Sequence, residues 1–220
     1  MSLSKVIETA RAELGQHEDP AGSNLTKYGF WYGVNGVPWC VIFLCWLFRE
    51  AGEGAAFFGG AKTASCGTLL RWYNEQGLTV PVEDVQKGDI VILNFHGTKD
   101  TEHCGLVVET DIPFFGKNGV VTTVEGNTSS SDSSQSNGGM VCEKTRYLSQ
   151  IVAVCRPQYQ PEPVVVDDIT GHWAEKSIRR CIERGLLKGY PDGSFQPDKP
   201  VTRAELAVIL DRLDKEDDGK

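Results

Sequence analysis

Cys40 stands where the segment Gly36-Val37-Pro38-Trp39 gives way to the apolar run Val41-Ile42-Phe43-Leu44-Cys45-Trp46-Leu47-Phe48. A thiol at the N-terminal end of a helix meets unpaired amide N–H groups and the positive end of the helix dipole. Both favour the thiolate, the nucleophilic form. A cysteine in so apolar a run also reads as a small buried hydrophobe, and a base elsewhere in the chain decides between the two. Of the four histidines, His17 precedes a polar loop, His96 lies in a Gly/Thr/Lys-rich turn and His172 lies far downstream. His103 opens the apolar run Cys104-Gly105-Leu106-Val107-Val108, so its ring projects from a strand end, where a base is held in position. Glu125 and Asn127 end the next strand-like run, Val120 to Val124. On a neighbouring antiparallel strand either one could accept from the second ring nitrogen and stabilise an imidazolium. A thiol nucleophile, an imidazole base and an orienting carboxylate or amide suffice for acyl transfer.

The elements that must position these groups follow from hydrophobic spacing. Leu3, Val6, Ile7, Ala10 and Leu14 keep helical spacing up to Gly15. Residues 17–36 read as a polar loop carrying Tyr28, Phe30, Trp31 and Tyr32. The Cys40 helix is apolar all round, hence buried on every side, with Pro38 at its first position and Gly52 at its left-handed end. A further helix is predicted from Thr68 to Gln76. β-branched runs then follow at 90–95, 103–109, 120–125, 140–143 and 151–155, separated by turn residues, which is the pattern of an antiparallel sheet. Residues 128–139 read as a mobile Ser/Asn/Gly-rich loop. Helices first and strands afterwards predict an α+β domain.

Residues 156–163 hold three prolines and read as a stiff linker. Beyond it, Ala174, Ile178, Cys181 and Ile182 mark one helix, Tyr190 to Ser194 a turn, and Leu206, Leu210 and Leu213 one face of a second helix opened by Thr202. The resulting division is a first domain over 1–157, a linker over 158–166, a small helical module over 167–213 and an acidic tail over 214–220.

With 220 residues, 24% of them charged and a formal net charge of -8, the chain offers no electrostatic case for nucleic acid. No run approaches the ~20 apolar residues of a membrane span, so no membrane insertion is expected. The N-terminus lacks a basic segment followed by an apolar core, which predicts synthesis in the cytoplasm without a signal peptide. Seven cysteines without a CxxC pair argue against a disulfide framework and a zinc ribbon. Zinc held by Cys40, Cys45, His103 and Cys104 matches no ligand spacing, so no metal is expected there.

The segments Pro38-Trp39-Cys40, Lys87-Gly88-Asp89-Ile90-Val91, His103-Cys104-Gly105-Leu106-Val107 and Val124-Glu125-Gly126-Asn127 resemble, in order, a CHAP domain. These cysteine, histidine-dependent amidohydrolase/peptidases have a papain-like fold related to the NlpC/P60 group. The resemblance implies Cys40 as nucleophile, His103 as base, Glu125 as orienting residue and Asn127 as an accessory. It also implies peptidoglycan as substrate, cut at the muramoyl–alanine amide or within the stem or bridge peptide. Cys104 stands where the family commonly has a small aliphatic residue. The backbone N–H of Cys40 is one expected oxyanion donor, with Tyr28 or Tyr32 as the second. Some relatives hold calcium before the nucleophile. Glu18, Asp19 and Asn24 occupy that region here without the alternating spacing of an oxygen cage, so calcium is a candidate ligand and no cofactor is required.

Asp167-Asp168-Ile169, His172-Trp173-Ala174, Gly189 to Phe195 and Val201-Thr202-Arg203-Ala204-Glu205 resemble an S-layer homology module. That family binds secondary wall polysaccharide, often through an anionic pyruvyl ketal. Arg203 is then the expected carboxylate partner and Trp173 the expected sugar platform. Thr202 and Glu205 also fit a helix capping box. Such modules usually come in threes, so a single copy predicts self-association or docking. Together the two resemblances predict a wall-targeted peptidoglycan hydrolase of phage endolysin type that acts after release. A secreted autolysin and a non-catalytic wall-binding or S-layer-type protein are the alternatives.

Overall fold

The computed structural model describes residues 3–111, 119–130, 138–160, 167–190 and 193–217. It divides into two compact units, Met1–Pro161 and Glu162–Lys220. The first is α+β. Five helices come first, α1 (Leu3–Ala12), α2 (Lys27–Tyr32), α3 (Cys40–Glu50), α4 (Gly54–Phe58) and α5 (Cys66–Glu75). Six strands follow, β1 (Thr79–Val80), β2 (Ile90–Leu93), β3 (His103–Asp111), β4 (Val120–Thr128), β5 (Met140–Tyr147) and β6 (Ile151–Cys155). They form one antiparallel sheet in the order β1-β6-β2-β3-β4-β5.

α3 is the hub. Val41, Ile42, Phe43, Leu44, Leu47 and Phe48 are wholly buried, so the helix is enclosed as its all-apolar sequence requires. Each such side chain contributes about 1.5–3 kcal/mol of transfer free energy. The helix starts at Cys40, two residues later than the expected first position at Pro38, with Trp39 as a cap that supplies no side-chain hydrogen bond. Gly52, just past the end, takes φ 78°, a left-handed conformation that costs only glycine nothing.

The sheet is buried on both faces. Ile90, Ile92, Cys104, Leu106, Val108 and Val124 pack with α3, while Val91, Leu93, Val107, Val121, Ile151 and Val154 join Val85 and Phe95 on the other side. Double burial explains why these strands read as continuous apolar runs. Two glycines allow the close approaches that the site needs. A Cβ on Gly126 would lie 2.6 Å from Phe43 Cβ and 2.7 Å from a Trp39 ring carbon. A Cβ on Gly105 would lie 2.7 Å from Glu125 Cγ and 3.0 Å from Thr123 Cβ. Gly105→Ala is therefore expected to cost about 1–3 kcal/mol by overpacking. Urea unfolding measures it, and an unchanged midpoint would mean that Glu125 moves aside freely.

Several boundaries differ from the sequence-based expectation. α2 interrupts the stretch read as loop, and α4 is a helix that the sequence reading did not assign. Thr26 caps α2 by accepting from the Gly29 N–H at 3.0 Å, a signal only six residues long. α1 stops at Ala12 and leaves Leu14 exposed. The stiff linker starts later than residue 158. Tyr159 stacks on Phe48 at 5.7 Å and its hydroxyl donates to the Gly88 carbonyl at 2.5 Å, which ties it to the first unit. Residues 161–166 of the expected linker, 131–137 of the expected loop, and 191–192 of the expected turn lie outside the described residues.

In the second unit a short 3-10 turn at Asp167–Ile169 precedes α6 (Glu175–Glu183) and α7 (Arg203–Asp217). Ile169 and Ile178 form its core with Ala174, Ile182 and Phe195. The expected capping box is present, since Glu205 accepts from the Thr202 N–H and hydroxyl, both at 2.7 Å, and Thr202 Oγ1 accepts from the Glu205 N–H at 3.1 Å. α7 runs to Asp217, so the expected tail is helical to that point, and 218–220 lie outside the described residues. Leu206 and Leu210, expected on an inward face, are 47% and 51% exposed.

Candidate functional site

The two helices of the first unit that begin with a cysteine bring those cysteines together. Cys40 opens α3 and Cys66 opens α5, and their sulfurs lie 4.0 Å apart. Cys104 on β3 faces the same point from the sheet, and the three sulfurs lie within 4.8 Å of one another. All three are buried, Cys104 completely. The Cys104 and Cys66 thiols donate toward Cys40 and lower its pKa well below the ordinary thiol value. Burial opposes this, and His103 adds to it. Burial and the neighbouring Cys40 thiolate push Cys104 well up. One thiol of the three carries the negative charge.

His103 is the first residue of β3 and is fully buried. Its Nε2 lies 3.0 Å from Glu125 Oε2. Nδ1 has no hydrogen-bond partner among the described residues, which leaves it for the Cys40 side of the ring. Burial works against charge on the ring. Cys40 and Glu125 outweigh it and raise the His103 pKa to about 9. Glu125 is buried and still ionised, because Arg146 and then His103 overcome the burial cost and lower its pKa to about 2. Arg146 grips it in a fork, Nε to Oε1 at 2.7 Å and Nη2 to Oε2 at 2.5 Å, and the Thr123 hydroxyl donates to Oε1 at 2.6 Å. The Arg146 guanidinium lies 4.8 Å from the centre of the Phe95 ring.

These contacts define a thiolate–imidazolium pair backed by a carboxylate held in a fork. The sign of its pH dependence follows. A histidine pKa raised from 6.5 to about 9 on folding contributes stability that is fully present below about 6.5. That contribution is lost as pH rises through 9. The ring is thus expected to stay protonated at pH 8, read from its carbon-bound proton shifts by NMR. Titration near 6.5 would mean that the pair does not form.

Arg146 and Cys66 were not singled out by sequence. Arg146 sits in the alternating strand Met140–Tyr147, where an arginine usually points to water, and only its 2% exposure betrays its role. Cys66 follows Ser65, which caps α5 by accepting from the Thr68 N–H, and that cap is a legible signal for a thiol at a helix start.

Of the two tyrosines offered as oxyanion donors, Tyr28 has other work. The Tyr28 hydroxyl donates to Glu13 at 2.5 Å, and the ring stacks on Trp39 with centroids 5.5 Å apart, so Tyr28 braces the loop before Cys40. The Tyr32 ring lies 5.4 Å from Lys62 Nζ. Asn127 is buried with φ 58°, its amide oxygen and nitrogen both without hydrogen-bond partners among the described residues. His103 leans on Glu125 and not on this amide. Of the calcium candidates, Glu18 is buried and accepts from Trp39 Nε1 at 2.9 Å, Asp19 is exposed, and Asn24 adopts φ 56°. Among the described residues, the histidines, cysteines and carboxylates that converge on one point are Cys40, Cys66 and Cys104.

In the second unit a groove of about 590 Å³ runs between α7 and the segment before it, lined by Tyr190, Phe195, Lys199, Val201, Val208 and Arg212 among others. Trp173 is 91% exposed, which excludes a core role, and neither it nor the exposed Arg203 lines the groove.

The family model for the S-layer homology domain matches residues 167–207. The second unit carries an S-layer homology domain. Sequence relatives agree with the match. Outer membrane protein SlpA of Deinococcus radiodurans is 44% identical over 59 residues, 26% of this chain and 5% of its own length. A cellulosome-anchoring protein of Acetivibrio thermocellus is 44% identical over 45 residues, 20% of this chain and 10% of its own. An S-layer protein of Bacillus licheniformis is 42% identical over 69 residues, 31% of this chain and 8% of its own. The chain thus spans a tenth or less of these relatives. The solved structure titled "The crystal structure of Ly7917" aligns over 71% of this chain and 63% of its own with 18% identity and a TM-score of 0.41, too distant to bear on the first unit.

Proposed function

We propose that this chain is a cell-wall-anchored cysteine hydrolase of the CHAP type, cutting an amide of peptidoglycan. The observation that carries the hydrolytic half is the buried series Cys40, His103, Glu125 and Arg146, in which each member prepares the one before it. Cys40 attacks the carbonyl carbon and the carbonyl oxygen takes the negative charge. The Cys40 N–H, left uncapped by Trp39, is the natural donor to that oxygen. His103 gives its proton to the leaving amine, a thioester remains, and the now neutral ring takes a proton from the water that releases the acid. Glu125 holds the ring and balances the imidazolium, and Asn127 is an accessory. Cleavage by a phage-type endolysin after release and cleavage by a secreted autolysin use the same residues.

The anchoring half rests on the S-layer homology domain and on its relatives, two of which are named for S-layer or anchoring roles. Lys199 and Arg212 in the groove suit an anionic secondary wall polysaccharide, with Arg203 and Trp173 outside it as further contacts. Exposed Leu206, Val208 and Leu210 on α7 suit association with a second copy. The full chain is expected to sediment with Gram-positive walls and to remain in solution once the secondary polysaccharide has been stripped from them. Equal binding to stripped walls would remove the polysaccharide reading.

The comparisons favour a second reading, since the family model matches within the second unit and the relatives named here include an S-layer protein and an anchoring protein. On that reading the chain is a wall-binding protein without catalysis. Mass spectrometry of soluble fragments released from walls separates the two readings. A new N-terminal alanine means amidase, another new terminus means endopeptidase, and the absence of fragments leaves the binding protein.

A further inference from the structure

Catalysis by the proposed mechanism requires one thiol, yet the site holds three. Cys66 and Cys104 come from different elements, α5 and β3, and neither has a part in attack or proton transfer. Buried sulfur packs well without such clustering, as Cys155 does within the same core. Sulfur ligands at about 2.3 Å from a tetrahedral zinc lie roughly 3.8 Å apart along each edge. Cys40 and Cys66 are already at 4.0 Å, and the whole set is within 4.8 Å. Closing the three sulfurs around an ion thus asks for a contraction of about 1 Å or less. His103 lies outside this convergent set, and its side chain is the partner of the Cys40 thiolate.

We infer that Cys40, Cys66 and Cys104 form a three-sulfur site for one thiophilic divalent cation of the zinc and cadmium class. The sequence spacing gives no hint of it, because the ligands are 26 and 38 residues apart and come from three elements. Binding exchanges protons for the metal. The ion displaces one proton each from Cys66 and Cys104, while Cys40 enters as the thiolate. Two protons leave, and the ion with its three thiolates carries one net negative charge. Where Cys40 serves as nucleophile, occupancy also withholds it, a consequence that rests on the hydrolase reading.

The test uses the full-length, reduced protein and cadmium as the probe, with no substrate present. One cadmium per chain is expected, with a sulfur-to-metal charge-transfer absorption in the ultraviolet, and zinc is expected to displace it. Cys66→Ser and Cys104→Ser should each weaken binding by at least about 100-fold, while Cys155→Ser should leave it unchanged. X-ray absorption on the wild-type cadmium complex counts ligands without any variant, and three sulfurs are expected. Absence of the absorption band, a count of fewer than three sulfurs, or full binding in folded Cys66→Ser would overturn the assignment. Because the readout is binding, its failure leaves the hydrolase reading intact, and failure of hydrolysis leaves the metal site intact.

Discussion

Cys40→Ala is expected to lower the release of fragments from peptidoglycan by about 10⁴-fold or more, the scale set by loss of a nucleophile from a cooperating group. The variant should still sediment with walls, since the S-layer homology domain lies in the other unit. The size of the effect follows from how little else in the site can attack. Cys66 is 4.0 Å away but protonated, raised by Cys40 and by burial against the pull of Cys104. Cys66 opens α5 and so does not stand at the uncapped start of α3 that directs the attack. Cys40→Ser should be almost as inactive, because an alcohol does not lose its proton to an imidazole as a thiol does. Lysis by Cys40→Ala at the wild-type rate would move the nucleophile elsewhere or remove the hydrolase reading. His103→Ala should lie within about tenfold of Cys40→Ala if the two act as one unit, and additivity of the two losses would argue that they act separately.

Arg146→Met is expected to be the most destabilising single change, at about 3–5 kcal/mol, because it strips a buried carboxylate of its fork. Glu125 would then keep only His103 and Thr123 as partners. Its pKa, held at about 2 by Arg146 and His103 against burial, must rise. A carboxylate lowered from 4.5 to about 2 on folding contributes stability that is present above about 4.5 and lost as pH falls through 2. In Arg146→Met this contribution shrinks, so acid unfolding should begin at higher pH than in the wild type. Urea midpoints at a series of pH values measure both effects. Adding Glu125→Gln to Arg146→Met should recover part of the loss, since removal of both charges costs less than removal of one. A double variant less stable than Arg146→Met would show that Glu125 is held mainly by His103 and Thr123. Arg146→Lys should fall between, because an ammonium cannot make the two parallel bonds.

Much of this protein was legible in residue order alone. The apolar run after Cys40 required an enclosed helix, because a helix without a polar side has no face to give to water, and from Val41 to Phe48 all but Trp46 are buried. The β-branched runs required a sheet, and their unbroken apolarity matches burial on both faces. His103 and Glu125 at the ends of successive strands were legible as partners because antiparallel pairing brings such ends together, and they meet at 3.0 Å. The S-layer homology domain was legible by resemblance, because the segments that carry it, from Asp167-Asp168-Ile169 to Val201-Thr202-Arg203-Ala204-Glu205, lie within one short stretch.

Tertiary structure alone decided the rest, and the reason is the same in each case. Arg146 lies 21 residues from Glu125, and it turns inward to that carboxylate with the Phe95 ring against its guanidinium. Tyr28 had the chemistry of an oxyanion donor, and a hydrogen bond to Glu13 on the far side of its ring committed it to bracing Trp39. Cys66 and Cys104 looked like unrelated core thiols until two helix starts and one strand met at a single point. Local pattern specifies which element a residue belongs to, because helix and strand periodicity are set by the backbone. Which side chains converge is set by the packing of elements distant in sequence, and that packing is what gives Cys40 both its charge and its neighbours.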